Sequence, residues 1–320
     1  MKKILITGGA GYIGSLINKM LAERGYDTVV YDNLSISERD SVVRGRFVQG
    51  DISDTKKLDK LFTDHFFDGV FHFAASIRVE ESMENPQKYY NNNVANTLRL
   101  LDVMIRHNVN ILVFSSTAAV YGVPEKGALL KESDPLNPIS PYGRSKLFIE
   151  QILTDYADAY GLKFCALRYF NAAGGDPDGE VRYTSLQNLI PIALNTFRKN
   201  RASFNLYGID YPTADGTCVR DYIHTYDIGT AHILGFEALL DGASSLVYNL
   251  GNSQGFSNRE ILHMIEKVTG KQLNIIEAAR RKGDPPILRA DATKIRKELS
   301  WAPQYSEIET IIAHAWKALK

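Results

Sequence analysis

The sequence contains little cysteine and no excess of either charge. Only two cysteines, Cys165 and Cys218, occur among 320 residues, and their spacing matches no metal or redox motif. Lysine plus arginine and aspartate plus glutamate are equal at 37 each, so the formal net charge is zero. A fold built on disulfides is therefore excluded, and no nucleic-acid partner, membrane partner or bound metal is expected.

Long hydrophobic runs are also missing. The longest apolar stretches, such as Ile111 to Phe114, are only strand-length, and Met1 is followed almost at once by ILITGG without a cleavable apolar segment. These absences predict a cytoplasmic protein. With 44% apolar and 23% charged residues, the chain is a globular protein of one large or two modest domains.

Short apolar segments alternate with longer amphipathic ones through the first half of the chain. We predict strands over residues 2–7, 27–32, 46–51, 69–75, 110–116 and 162–170. Segments between them, such as Asn92 to His107, carry apolar residues at helical spacing. This alternation predicts an α/β fold with a Rossmann-type doubly wound parallel sheet. The alternation of apolar and amphipathic segments ends after residue 176. We therefore expect one domain over 1–176 and a smaller α/β domain over 177–320, with some segments interleaved.

A glycine-rich turn follows the first strand. In TGGAGYIG the glycines at 8, 11 and 14 open a helix, where backbone amides can approach a pyrophosphate. Asp32 ends the second strand, where a carboxylate binds ribose hydroxyls and repels a 2′-phosphate. The pattern predicts NAD rather than NADP. Asp51 ends the third strand and belongs either to the adenine pocket or to the start of the next helix.

A tyrosine and a lysine lie four positions apart in PYGRSK. Tyr142 and Lys146 therefore share one face of a predicted helix. A nearby ammonium and a positive nicotinamide ring both favour the phenolate form of a group whose usual pKa is about 10. Thr117, just after the fifth strand, offers a hydroxyl to the substrate or to the tyrosine. The three residues predict a proton acceptor beside a hydride acceptor.

Motifs along nearly the whole chain resemble those of the extended short-chain dehydrogenases/reductases, and within them the UDP-sugar 4-epimerases. They include TGGAGYIG, YDNL, HFAA, NNVANT, FSSTAAVYG, PYGRSK, RYFNAAG, DYPTADGTCVRDYIH, YNLGN and RRKGD. The resemblance implies a tightly held NAD, reduced and reoxidised in each cycle, in the first domain and a UDP-sugar in the second. It further implies reversible interconversion of UDP-glucose and UDP-galactose through a 4-keto sugar, and a homodimer.

The resemblance also assigns roles to individual residues. Tyr142 matches the catalytic base, Lys146 its electrostatic and ribose-binding partner, and Thr117 the catalytic hydroxyl. The other positions that match NAD contacts are Gly8, Gly11, Tyr12, Ile13, Asp32, Asn33, Asp51, Ile52, Phe73, Ala74, Ala75, Asn93 and Tyr169. Arg78 stands where relatives commonly have a lysine, so a planar guanidinium group replaces a compact ammonium group at this contact.

A second set of positions matches the family's UDP-sugar contacts. Besides Thr117 and Tyr142, these are Asn171, Asn188, Leu189, Asn205, Tyr207, Arg220, Arg281, Asp284 and Leu288. Arg220 and Arg281 suit a pyrophosphate, and Tyr207 suits the face of a uracil ring. In the family a tyrosine at the position of Leu288 restricts the sugar pocket. We therefore expect UDP-N-acetylglucosamine and UDP-N-acetylgalactosamine to be accepted as well.

Other functions of the superfamily are weighed on the residues after Thr117. Dehydratases and decarboxylases need a further acid or base there, whereas this chain has Ala118 and Ala119, which favours simple 4-epimerisation. A UDP-pentose 4-epimerase or decarboxylase stays open as an alternative. So does a non-catalytic NAD-sensing protein, although a sensor would need none of the three catalytic residues.

Overall fold

The structure is a computed structural model that describes residues 1–124, 129–183, 188–198, 203–281 and 284–319. Its strands, in chain order, are β1 (Lys3–Thr7), β2 (Asp27–Asp32), β3 (Arg46–Gln49), β4 (Gly69–His72), β5 (Ile111–Thr117), β6 (Lys163–Tyr169), β7 (Asn171–Ala173), β8 (Phe204–Tyr207), β9 (Val219–Arg220), β10 (Tyr222–His224), β11 (Leu246–Leu250), β12 (Phe256–Ser257), β13 (Ile275–Ala278) and β14 (Ile287–Leu288).

The helices alternate with these strands. They are α1 (Gly14–Glu23), α2 (Thr55–Asp64), α3 (Val79–Glu84), α4 (Pro86–Tyr89), α5 (Asn96–Arg106), α6 (Pro141–Tyr160), α7 (Leu189–Arg198), α8 (Thr225–Leu240), α9 (Asn258–Thr269), α10 (Thr293–Leu299) and α11 (Ile308–Ala318). A π-helical turn (Tyr90–Ala95) leads into α5, and 3₁₀ turns lie at Arg39–Ser41 and Ala118–Val120.

The main sheet has seven parallel strands in the order β11-β6-β5-β4-β1-β2-β3. This arrangement confirms the predicted Rossmann-type α/β fold. Both faces of the sheet are covered, which explains why its strands are apolar at successive positions. In β1, Ile4 and Ile6 pack into a core with α1 and α8, while Leu5 between them packs into a second core with α2, α5 and α6.

Local sequence signals set the ends of the site-bearing helix α6. The Ser140 side chain accepts a hydrogen bond from the Gly143 amide, and Pro141 occupies the first helical position, where its missing N–H costs nothing. Gly161 ends the helix in the left-handed conformation at φ 70°. These caps fix the start of α6 next to the end of β5, so Tyr142 lies in the first turn.

A third core lies outside the main sheet. It joins α7, α9 and α11 and is bordered by three small sheets, β10-β7, β12-β9-β14 and β13-β8. Between these parts the chain returns to the main sheet through α8 and β11, which pairs with β6. The two-domain division at residue 176, with its interleaved segments, stays a prediction; α8 packs on the main sheet and β11 pairs with β6.

Candidate active site

A cleft of about 1240 Å³ runs along the carboxyl ends of the strands of the main sheet. Ligands of open α/β sheets bind at this edge. A second pocket of about 250 Å³ shares Ile192, Arg281 and Asp284 with the cleft. The predicted residues that line the main cleft are Gly8, Gly11, Tyr12, Ile13, Asp32, Asn33, Asp51, Ile52, Phe73, Ala74, Ala75, Arg78, Thr117, Tyr142, Tyr169, Asn171, Asn188, Arg220, Arg281, Asp284 and Leu288.

The glycine turn is a tight cradle beneath this cleft. Gly8 has a φ of +70°, and a Cβ added there would lie 2.5 Å from the Ala74 amide nitrogen. A Cβ on Gly14 would lie 2.6 Å from the Gly8 carbonyl oxygen. The residue before α1 is Ile13, which carries no capping oxygen. The Ser15 amide already donates to the Gly11 carbonyl at 3.0 Å, so an anion in the cleft meets the start of α1 at Ile13 and Gly14, which line it.

Asp32 joins the end of β2 to the glycine turn. Its Oδ2 accepts a hydrogen bond from the Ala10 amide at 3.0 Å, and its Oδ1 accepts one from the Leu34 amide at 2.8 Å. The Ser37 hydroxyl donates a third bond, to Oδ1 at 3.2 Å, and together these bonds fix the carboxylate at the mouth of the turn. Its lone pairs that are not used by the chain suit the hydroxyls of a ribose.

Asp51 is held beside Asp32 through Asn33. The Asn33 amide donates to Asp51 Oδ2 at 2.7 Å, and the Ser53 amide donates to Asp51 Oδ1 at 2.8 Å. Burial raises the pKa of Asp51, but hydrogen bonds from Ser53 and Asn33 outweigh it and bring the pKa below its usual range. Asp54, rather than Asp51, caps α2 by accepting from the Lys57 amide.

These features fit NAD. Gly8, Gly11 and Gly14 line the cleft without side chains, the positive end of the α1 dipole lies there, and Asp32 supplies acceptors for a ribose. Asn93 serves this site from outside the cleft. It is 1% exposed, and its amide group accepts from the Ser76 N–H at 2.8 Å and donates to the Ser76 carbonyl at 2.9 Å. Asn93 thereby orders the loop that carries Ala74, Ala75 and Arg78.

Thr117 and Tyr142 meet where β5 ends and α6 begins. Burial raises the pKa of Tyr142 above its usual value, and a hydrogen bond with Thr117 offsets part of that rise. Lys146 lies one turn further along α6 and is 2% exposed. Its Nζ donates to the Ser115 carbonyl at 2.7 Å, and burial lowers the pKa of Lys146 to about 7 against the opposing charge of Glu150. Lys146 thus braces α6 against β5 one helical turn from Tyr142, and it does not line the cleft.

Sequence reasoning missed the group behind this pair. Glu150 continues the spacing of Tyr142 and Lys146 by one more turn of α6, and its carboxylate accepts from the Ser116 hydroxyl. Arg168 of β6 donates to the same carboxylate from Nε at 3.1 Å and from Nη2 at 2.6 Å. The i, i+4, i+8 spacing was the available signal, because it places all three side chains on one helical face.

The residues predicted for the UDP group form the opposite wall. Leu189, Asn205 and Tyr207 line the smaller pocket rather than the main cleft. The Arg281 guanidinium lies 4.1 Å from the centre of the Tyr207 ring. Arg220 forms an ion pair with Asp284, and both line the main cleft. Lys282 and Gly283 of the RRKGD motif lie outside the described residues.

Two further properties concern ions and membranes. Within the described ranges, no group of three or more His, Cys, Asp or Glu side chains is arranged to hold a metal ion. No helix among the same residues is both long and apolar enough to cross a membrane.

The chain matches the model of the NAD dependent epimerase/dehydratase family over residues 4–251, and it belongs to that family. It is 47% identical to the UDP-glucose 4-epimerase of Lacticaseibacillus casei, over 98% of this chain and 95% of the relative.

Two solved structures are similar over almost the whole chain. The UDP-glucose 4-epimerase from Brucella ovis in complex with NAD has a TM-score of 0.94 and 45% identity, covering 99% of this chain and 98% of that one. The UDP-Glc/GlcNAc 4-epimerase from Campylobacter jejuni has a TM-score of 0.85 and 42% identity, with the same coverage of both chains.

Proposed function

We propose that this protein is an NAD-dependent UDP-sugar 4-epimerase that interconverts UDP-glucose and UDP-galactose. The observation that carries the proposal is that one cleft is lined by the glycine turn, by Thr117 and Tyr142, and by Arg220 and Arg281. A dinucleotide and a nucleotide sugar can therefore meet at a single phenol. The roles given above to individual residues are part of this proposal.

The chain's own residues divide the work of the reaction. Bound NAD supplies a reversible two-electron acceptor beside C4 of the sugar. Tyr142, as phenolate, accepts the proton of the 4-hydroxyl while C4 is oxidised, which gives a 4-keto sugar, and it returns that proton when C4 is reduced. Thr117 orients the 4-oxygen towards Tyr142, and the Lys146 charge, one turn further along α6, favours the phenolate.

Inversion requires that the sugar turn over while its nucleotide stays bound. Arg220 and Arg281 offer guanidinium groups to the pyrophosphate, and Tyr207 offers a ring face to the base. The hexose lies between this wall and Tyr142, where Leu288 presents an apolar surface. Firm contacts to the nucleotide and few to the hexose allow the ketone to present either face to the cofactor.

The residues after Thr117 do not favour the alternatives. Ala118 and Ala119 form a 3₁₀ turn at the cleft and have no acidic or basic group. Elimination or decarboxylation would need such a group beside the sugar. A non-catalytic sensor is not favoured either, because it would need neither Tyr142 nor Thr117 in the cleft.

We also propose that the protein is a cytoplasmic homodimer. Support for the dimer comes from α3 and α6, where Met83 and Phe148 are 47% and 42% exposed, and from the stacking of Phe148 on Tyr90 at 6.0 Å. Support for the location comes from Cys165 and Cys218, which are free thiols and suit a reducing compartment. Light scattering during gel filtration tests the dimer, and fractionation of cells tests the location.

The function is tested by incubating the purified protein with UDP-galactose and no added cofactor, then separating the product sugars by chromatography. An epimerase with resident NAD carries the mixture to equilibrium between UDP-galactose and UDP-glucose. A dehydrogenase would stop after one turnover, and a sensor would leave the sugar unchanged. Either of the last two results would contradict the proposal.

A further inference from the structure

Tyr169 has a buried partner that the proposed reaction does not use. Tyr169 ends β6, where it pairs in register with Thr117, and it lines the cleft. Its hydroxyl oxygen lies 2.5 Å from Nε2 of His232, which is 0% exposed in α8. The contact crosses from the main sheet to the helix packed behind it.

The direction of this hydrogen bond follows from the other ring nitrogen. Nδ1 of His232 lies 2.8 Å from the Ile228 carbonyl oxygen, which can only accept. Nδ1 therefore carries the hydrogen of the neutral ring, and Nε2 is left as an acceptor. Burial lowers the pKa of His232 to about 3, so the ring stays neutral at any working pH. Tyr169 must then donate its hydroxyl hydrogen to His232.

Aromatic packing keeps the histidine in this orientation. Its ring lies 5.1 Å from the ring of Phe73 and 6.1 Å from that of Phe71, measured between centroids. Phe73 itself lines the cleft. These contacts hold the imidazole in place, and its Nε2 is hydrogen-bonded to the Tyr169 hydroxyl.

A second phenol lies close to the catalytic one. Burial raises the pKa of Tyr169 well above its usual value, a hydrogen bond with the Ser115 side chain offsets part of that rise, and the charge of Tyr142 adds to it. Ser115 lies two positions before Thr117 in β5 and lines the cleft. Without His232 as acceptor, the Tyr169 hydroxyl hydrogen would turn to this cleft side, because an unpaired buried hydroxyl is costly. The hydrogen would then lie on the side of Tyr142 and the sugar, where it competes for the oxygens of the reaction.

We propose that His232 is a positioning residue: by accepting the hydrogen of the Tyr169 hydroxyl, it keeps that hydroxyl directed out of the cleft and leaves Tyr142 as the phenol that exchanges protons with the sugar. The inference rests on the proposed function for its catalytic consequence. Its structural part, the fixed direction of the Tyr169 hydroxyl, also orders the cleft wall beside Phe73 and so affects how long NAD stays bound.

The chain offers a matched pair of variants for the test. In His232→Gln the side-chain amide reaches the position of Nε2 and can still accept from Tyr169, whereas in His232→Asn it ends near Nδ1 and cannot. Each variant is purified as the holoenzyme and assayed for kcat and KM with UDP-galactose. The release rate of NAD is measured separately by trapping the freed cofactor, and thermal unfolding checks that each variant is folded.

We expect His232→Asn to lower kcat about tenfold and to speed NAD release severalfold, with KM little changed, because about one hydrogen bond is lost. In His232→Gln, kcat and the rate of NAD release should stay within about threefold of their values in the unaltered protein. Tyr169→Phe keeps the ring packed, so we expect kcat to fall only about threefold. When Tyr169→Phe is combined with His232→Asn, most of the loss of kcat caused by His232→Asn should disappear. Relief is expected because no hydroxyl is left to turn.

Three results would overturn the inference. They are equal losses in the Asn and Gln variants, additive losses in the double variant, and a fall in kcat of about tenfold or more in Tyr169→Phe. The Tyr169→Phe result is compared with the unaltered protein, so it is decisive even if His232→Asn does not fold. Failure of the proposed function would appear differently, as a lack of epimerisation by the unaltered protein, while NAD release would still report on the Tyr169–His232 pair.

Discussion

Lys19 and Asp176 form an ion pair inside the protein, with Nζ 3.0 Å from Oδ2 and side-chain exposures of 2% and 1%. Asp178 accepts from the same ammonium at 2.7 Å. Lys19 lies on α1, directly behind the glycine turn, and Tyr12 of that turn donates to the Gly174 carbonyl at 2.7 Å. The glycine turn and α1 are therefore fastened to the segment after β7.

Removing the Lys19 charge should destabilise the protein strongly. Lys19→Met leaves Asp176 buried without its cation, which we expect to lower the free energy of unfolding by about 3 kcal/mol. Urea unfolding followed by circular dichroism measures the change. Lys60→Met is the matched control, because the Lys60–Asp64 pair on α2 has exposures of 74% and 49%. The control should change stability by less than about 0.5 kcal/mol, and equal effects in the two variants would contradict the assigned role of the buried pair.

Local motifs could be predicted from the sequence, whereas long-range pairs could not. The glycine turn and Tyr142 each lie directly next to a predicted strand end, so strand and helix periodicity places them at the cleft, and the four-residue spacing places Lys146 on the same face of α6. Lys19 looks like a surface lysine on an amphipathic helix, and its partner Asp176 lies 157 positions away. His232 lies within the mostly apolar helix α8, and only the packing of α8 behind the sheet brings it to Tyr169. Sequence spacing carries no signal for either pair.

The order of strands has the same limitation. The six predicted strands of the main sheet correspond to β1 to β6, because apolar runs between helices are a local signal. The seventh strand, β11, lies after the predicted boundary at residue 176 and adds to the edge of the sheet beside β6. The residues of Leu246–Leu250 do not indicate which edge of the main sheet this strand joins. The pairing depends on how α8 crosses the sheet before it.

Removing the Tyr142 hydroxyl should abolish most turnover and leave NAD bound. Tyr142→Phe deletes the proton acceptor but keeps the ring, so we expect kcat to fall about 10²- to 10⁴-fold. Turnover is measured with UDP-galactose, and NAD content is measured after denaturing the holoenzyme. Tyr160→Phe, at the exposed end of α6, should change neither quantity. A Tyr142→Phe variant that epimerises at a near-normal rate would remove Tyr142 from the mechanism.

Asp32 should decide between NAD and NADP. Asp32→Ala removes the carboxylate that we propose binds the ribose, so we expect NAD to bind about tenfold more weakly and NADP to gain relative affinity. Competition between the two cofactors during refolding of the variant measures the preference. Asp27→Ala is a fair comparison, because Asp27 lies at the other end of β2 and pairs with Lys3 near the surface. Unchanged cofactor preference in Asp32→Ala would show that the carboxylate does not contact the ribose.

Glu150 should set the pH range of the reaction. Burial lowers the pKa of Lys146 to about 7, and the Glu150 charge works against that shift. Removing that negative charge lowers the pKa of Lys146 further. Glu150→Gln should therefore move the alkaline limb of the kcat–pH profile, which follows the loss of the Lys146 charge, to lower pH by about one unit.

The control for this shift comes from the same helix. Asp155→Asn removes an exposed carboxylate from α6 and should leave the profile in place. Glu150→Gln also leaves Arg168 short of its partner, so circular dichroism and thermal unfolding must show that the variant is folded before its profile is read. A folded variant whose profile keeps its position, or moves to higher pH, would contradict the electrostatic role of Glu150.

Leu288 should determine how large a sugar the cleft accepts. It lies on β14, paired in register with Arg220, and both side chains line the cleft. Leucine leaves room for an N-acetyl group that a tyrosine would fill, so we expect the protein to interconvert UDP-N-acetylglucosamine and UDP-N-acetylgalactosamine besides the plain hexoses. In Leu288→Tyr, kcat/KM for the acetylated pair should fall about 100-fold, because overpacking a site is costly, while the plain pair should stay within about threefold.

Parallel assays of both sugar pairs with the two proteins measure this effect. Leu288→Met is the volume-conserving control and should keep both activities, because the pocket retains its size. The ratio of the two kcat/KM values cancels any loss of folded protein and so isolates the pocket. If the unaltered protein interconverts the plain hexoses briskly and leaves the acetylated pair untouched, then a residue other than Leu288 limits the pocket.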